Sequence, residues 1–148
     1  MLDPDCLLGE HLAIEAIAAD LVHHAGQRPL DTVAVAQTRW ALSRHLLAHL
    51  AKEDRLLYPR LQRSPDTQVA ALAHRFAAEL GGLSDAFKQY MRHWSAERIA
   101  ADADGFERDT HIVLSALQDR IHREESELYR HIPGAAAAAK VDAGARAA

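Results

Sequence analysis

The stretch HLAKEDRLLYP, His49 to Pro59, governs how the rest of the chain is read. His49 and Glu53 are four residues apart, so on a helix they share a face, one turn from each other. That face also carries Leu46, Leu50 and Leu57, which sets an imidazole and a carboxylate into an apolar stripe. Burying such groups unpaired is costly, so each needs a metal ion or a hydrogen-bonding side chain as partner. Imidazole with carboxylate suits iron, zinc or manganese. An isolated HxxxE is commonly a surface pair. Here a further acid and the triplet LYP follow it, within a longer helical pattern.

Working outward, four helical stretches are expected, from about Asp5 to His24, Asp31 to Leu61, Ser64 to Trp94, and Ala103 to His131. Asp31 and Ser64 are N-cap candidates, and Pro59 is placed to kink or end the second helix. The third stretch shows Val69, Leu72, Phe76, Leu80, Leu83, Phe87, Tyr90 and Trp94 at helical spacing. The fourth shows Val113, Leu117, Ile121 and Leu128; the first shows Leu8, Leu12, Ile14, Ala18 and Leu21. Short breakers between helices give antiparallel neighbours, hence an all-α, up-down-up-down four-helix bundle over residues 1–132. The Ala-rich tail, residues 133–148, has no apolar stripe and is read as disordered.

Composition narrows the function. The chain has 148 residues, enough for one domain with a real core. Aromatics are only 5% and much of the apolar content is alanine, which favours helix over sheet. The net charge of −4 and the lack of a basic stripe argue against a nucleic-acid partner. Cys6 is the single cysteine, so neither a disulfide framework nor a thiolate metal cluster is expected within the chain. No secretory signal and no membrane-spanning run is read, and a cytoplasmic protein, monomer or homodimer, is the expectation. The departure from ordinary composition is ten histidines with acids near several of them.

An internal repeat organises those groups. HLAKEDRLLYPRL (49–61) lies over RIHREESELYRHI (120–132), pairing His49 with Arg120, Glu53 with Glu124, Asp54 with Glu125 and Tyr58 with Tyr129. More loosely, GEHLAIEAI from Gly9 pairs with AELGGLSDAF from Ala78, setting Glu10 against Glu79 and His11 against Leu80. Two helical hairpins related by a pseudo-twofold axis bring equivalent positions to one central site.

The pieces LGEHLAIEAI, HLAKEDRLLYP and REESELY resemble the hemerythrin-like HHE cation-binding domains over roughly Leu7 to Ile132. The resemblance implies a helical bundle holding non-haem iron, in proteins that sense oxygen, nitric oxide or redox state, or handle iron. It implies metal ligands at His11, His49, Glu53 and Glu124, with one or two iron ions. In the family, helices three and four each carry a further histidine. Those positions read Leu80 and Arg120 here, and neither side chain can donate to a metal. Arg120 is therefore expected to bridge the two carboxylates and replace the charge of one ion.

Other polar residues carry rival readings. Glu15 and His45 are candidates for supporting the ligands; His74 sits off the Leu72–Phe76 face and is expected in solvent, becoming a substitute for the missing histidine only if the third helix rotates, and His111 is the other candidate substitute. Tyr58, Tyr129, Trp40 and Trp94 are read as packing. Gly81-Gly82 marks a close helix contact or an opening toward the site. No nucleophile–base pair, phosphate loop or cofactor fingerprint is present, so a non-enzymatic role is favoured. The competing expectation is a metal-free bundle acting as a protein-interaction or regulatory module.

Overall fold

The computed structural model describes residues 2–135. Most of the expected tail lies outside the described residues. The described chain is a helical bundle without strands, and its element order begins with α1 (Pro4–Ala25) and α2 (Thr32–Lys52). A π-helical turn (Glu53–Leu57) carries α2 into the short α3 (Tyr58–Gln62); α4 (Thr67–Leu80), α5 (Leu83–His93) and α6 (Ala96–Ala101) follow. The long α7 (Ala103–Arg123) runs into a second π turn (Glu124–Leu128) and a 3-10 turn (Tyr129–His131). α1 packs against α2 and α7, α3 against α4, and α5 and α6 against α7.

Local chemistry explains the boundaries. Asp3, with Pro4 opening the helix, caps α1, and Asp31 caps α2 by accepting from Ala34 N at 3.0 Å. At α4 the cap is Asp66, not Ser64: its carboxylate accepts from Gln68 N and Val69 N, while Ser64 Oγ accepts from Asp66 N. The expected third helix is divided at Gly81-Gly82 into α4 and α5. A Cβ on Gly81 would lie 2.3 Å from the Ala77 carbonyl oxygen, so this turn needs glycine. Pro59 does not stop the second helix. The π turn before it absorbs the lost backbone donor, and helix continues to Gln62.

The repeat extends to the backbone. Each π turn begins at the glutamate of the paired segments, and the N–H of Tyr58 or Tyr129 donates to the Glu53 or Glu124 carbonyl five residues back. Such insertions widen a helix by one residue and re-aim the side chains around it.

Two apolar clusters fill the interior. The larger includes Ile14, Leu46, Leu50, Leu117 and Ile121; the smaller includes Leu7, Leu57, Phe76, Leu80 and Leu128. Along α1, His11 falls between Leu7 of one cluster and Ile14 of the other. Glu53 falls between Leu50 and Leu57, and Glu124 between Ile121 and Leu128. A polar layer thus separates two oily ones. On α1 the buried face is Leu7, His11, Ile14, Ala18 and Leu21, whereas the expected Leu8 and Leu12 face outward.

Candidate metal centre

His11 from α1, His49 from α2, and Glu53 and Glu124 from the two π turns converge in the polar layer, all buried. One ligand atom from each lies within 4.8 Å of the others, close enough to share an ion. Among the described residues, few buried side-chain polar atoms lack a hydrogen-bond partner, and two of them, His49 Nε2 and Glu124 Oε1, belong to this group. His49 Nε2 is 3.1 Å from Glu53 Oε1, yet out of line for a hydrogen bond. Leaving such atoms unpaired costs about 1–3 kcal/mol each, so their presence together calls for a partner.

The imidazoles are oriented from outside. His11 Nδ1 donates to Glu125 Oε1 at 2.8 Å, and His49 Nδ1 donates to Glu10 Oε2 at 2.8 Å. A carboxylate only accepts, so each Nδ1 carries the hydrogen and each Nε2 is turned to the centre. Carboxylates behind imidazoles in this way fix the ring and raise its basicity as a ligand. Glu10 is held in turn by Lys52. Changing Glu125 or Glu10 to glutamine is expected to weaken metal binding about 10–100-fold while leaving stoichiometry unchanged, measured by competition with a chromogenic chelator.

The mirror half of the layer is occupied by Arg120, which is 1% exposed. Its Nε donates to Glu124 Oε2 at 3.1 Å, and Nη2 to Glu53 Oε1 at 3.2 Å and Asp54 Oδ1 at 2.8 Å. Nη1 donates to the Leu80 carbonyl at 3.2 Å, so the residue aligned with His11 contributes backbone only. The guanidinium also lies over the Tyr58 ring, 5.3 Å from its centroid. The donors therefore fit one ion. Beside them the guanidinium is a fixed cation with four acceptors around it.

Two tyrosines complete the layer by crossing between the repeats. Tyr58 donates to Glu124 Oε2 at 2.7 Å, and Tyr129 donates to Glu53 Oε2 at 2.5 Å. Burial pushes both phenols well up, and the neighbouring carboxylates add to this, so both stay protonated in the ion-free site. Burial also works to raise Glu53, but His49, Arg120 and Tyr129 outweigh it and hold the carboxyl at about 2. Glu124 goes the other way, raised by burial and by the Glu53 charge against the pull of His11 and Arg120. Burial works to lower both imidazoles. Glu124 and Glu125 outweigh it at His11, and Glu53 and Glu10 at His49, so both are raised.

Of the other expected residues, Glu15, His45, His74 and His111 are exposed and supply no atom to the group. Glu15 lies outward beside Ile14, and His45 lines a surface pocket that reaches His49 between Arg44 and Lys52. His74 points away from the Ala73–Phe76 face, and His111 from the Val113–Leu114 face. Gly82 borders a different pocket, one that reaches Arg120 past Leu80 and Leu83. Tyr58 and Tyr129 are not mere packing. Their alignment five residues after each glutamate was the signal of a shared role. Glu10 and Glu125 were also missed as supports, although each sits beside a candidate ligand in sequence.

Residues 4–132 match the family model described as the hemerythrin HHE cation binding domain. No curated protein and no solved structure matches the chain.

Proposed function

Because the chain belongs to the hemerythrin HHE cation-binding family, we propose that it binds a single non-haem iron ion through His11, His49, Glu53 and Glu124, in an up-down-up-down four-helix unit spanning residues 1–132. The supporting observation is the pair of buried, partnerless atoms, His49 Nε2 and Glu124 Oε1, within a four-donor cluster. Iron bound by two imidazoles and two carboxylates would supply a redox-active centre open to small diatomic molecules. Glu10 and Glu125 hold the imidazoles in the ligating orientation, and Tyr58 and Tyr129 hold the carboxylates. Arg120 carries positive charge where the family's second ion would sit, which leaves the centre mononuclear. The role that follows is oxygen, nitric oxide or redox sensing, or iron handling, by a cytoplasmic protein acting as monomer or homodimer. No described helix is long and apolar enough to cross a membrane.

Thermal unfolding of the untagged protein tests the reading. Ferrous iron, supplied anaerobically at about 100 times its Kd, should add about 2.7 kcal/mol of stability. No shift at saturating iron would contradict it. Arg120→His should raise bound metal above one ion per chain by elemental analysis, and an unchanged ratio would count against the charge-replacement role.

A second reading, a metal-free bundle serving as a protein-interaction module, is favoured by the completeness of the Arg120 network, which bonds both buried glutamates without any ion. The exposed Leu12, Trp40 and Leu56 give such a module apolar contacts to offer. It requires that the wild-type protein take up no ion.

A further inference from the structure

The two tyrosines of the polar layer are equivalent in the repeat but not in their surroundings. Tyr58 stands on the Arg120 side, with the guanidinium over its ring and its hydroxyl on Glu124 Oε2. Tyr129 stands on the other side, where its hydroxyl oxygen is 3.0 Å from His11 Nε2 and 2.5 Å from Glu53 Oε2. It therefore touches two of the four donor residues at once. The His11 ring stacks on Tyr129, with centroids 5.2 Å apart and planes 15° apart, and this holds the phenol at the centre.

Tyr129 has one hydrogen and gives it to Glu53, so the phenol oxygen meets His11 Nε2, 3.0 Å away, on its lone-pair side. Tyr129 is only 4% exposed, so this oxygen has little access to solvent. An ion held by both His11 Nε2 and Glu53 would lie beside it.

We propose that Tyr129 is a fifth ligand of the centre, binding trivalent iron through its phenolate oxygen. The inference rests on the metal-binding reading above. The phenol O–H bond breaks, an oxygen–iron bond forms, and the proton leaves to solvent. The iron enters as the ferric ion, so no electron is transferred. Two imidazoles, two carboxylates and one phenolate make an oxygen-rich donor set that favours the hard ferric ion over the ferrous. Tyr58 takes no part, because the Arg120 guanidinium covers its ring and shares with its hydroxyl the acceptor Glu124 Oε2.

Phenolate bound to ferric iron absorbs strongly in the visible by charge transfer from oxygen to metal. Imidazole and carboxylate ligands on a single ion do not. The experiment adds ferric citrate to the untagged wild-type chain and to Tyr129→Phe and Tyr58→Phe, then removes free iron by gel filtration and records iron content beside the spectrum. The expected result is about one iron per chain in all three proteins. A visible band should grow in step with iron in the wild type and Tyr58→Phe and be absent from Tyr129→Phe. Iron bound to the wild type without a band, or a band that survives in Tyr129→Phe, overturns the inference and leaves the four-donor site standing. No bound iron in the wild type overturns the metal-binding reading itself.

Discussion

Replacing Arg120 by methionine is expected to cost the ion-free protein about 3–5 kcal/mol of stability, the range found when one partner of a buried ion pair is removed. At the size of this domain that is a fall of roughly 6–20 °C in Tm. Methionine is chosen because it keeps volume and apolar character, so the loss reports charge and hydrogen bonds rather than a cavity. The change takes the neutralising guanidinium from Glu53 and Glu124, both buried, and frees the Leu80 carbonyl. An exposed ion pair at the same place would contribute about 0–1 kcal/mol. Unfolding by heat in the presence of a chelator is the measurement. A loss below about 1 kcal/mol would show that Arg120 is not the internal counter-charge. Added divalent metal should restore part of the variant's stability, since two carboxylates without their arginine attract a cation more strongly.

The second large effect is on binding. His49→Ala removes a ligand and leaves Glu10 without its imidazole partner. Its loss of metal affinity should exceed the roughly 10–100-fold that follows removal of a group merely supporting a ligand. His45→Ala, one turn earlier on the same helix but exposed, should bind metal like the wild type. Isothermal titration of the three untagged proteins with the same divalent ion separates the outcomes. Equal affinities for His49→Ala and wild type would remove His49 from the site.

The positions of these residues were legible in the sequence to different depths. Helices were visible because leucine, valine and phenylalanine recur at threes and fours, a property that survives without knowledge of the neighbours. The break at Gly81-Gly82 was not, since about 1 kcal/mol per glycine is small beside the burial of Phe76, Leu80, Leu83 and Phe87 on either side. The short α6 escaped because only Ile99 is buried along it, so it has no periodicity to detect. On α1 the buried stripe contains His11 itself. A polar residue in the stripe conceals its phase, and Leu8 and Leu12 were favoured over Leu7.

The candidate site divides in the same way. His49 and Glu53 follow from spacing within one helix, and Glu124 and Arg120 from the repeat. The bonds His11–Glu125, His49–Glu10 and Tyr129–Glu53 join residues far apart in the chain, so they depend on how the helices dock. Spacing within one helix carries no information about that docking. The exposure of His74 was legible, since it sits off the Leu72–Phe76 face, whereas that of Glu15 and His111 follows from helix rotation within the bundle.

One ion per chain, with a guanidinium in place of the second, can be counted by elemental analysis of the untagged protein after saturation with iron and removal of the excess. The expected ratio is one, falling to none in His49→Ala. A ratio of two would show that Arg120 does not exclude the second ion, and a ratio of zero would show that the guanidinium network serves a bundle that holds no metal.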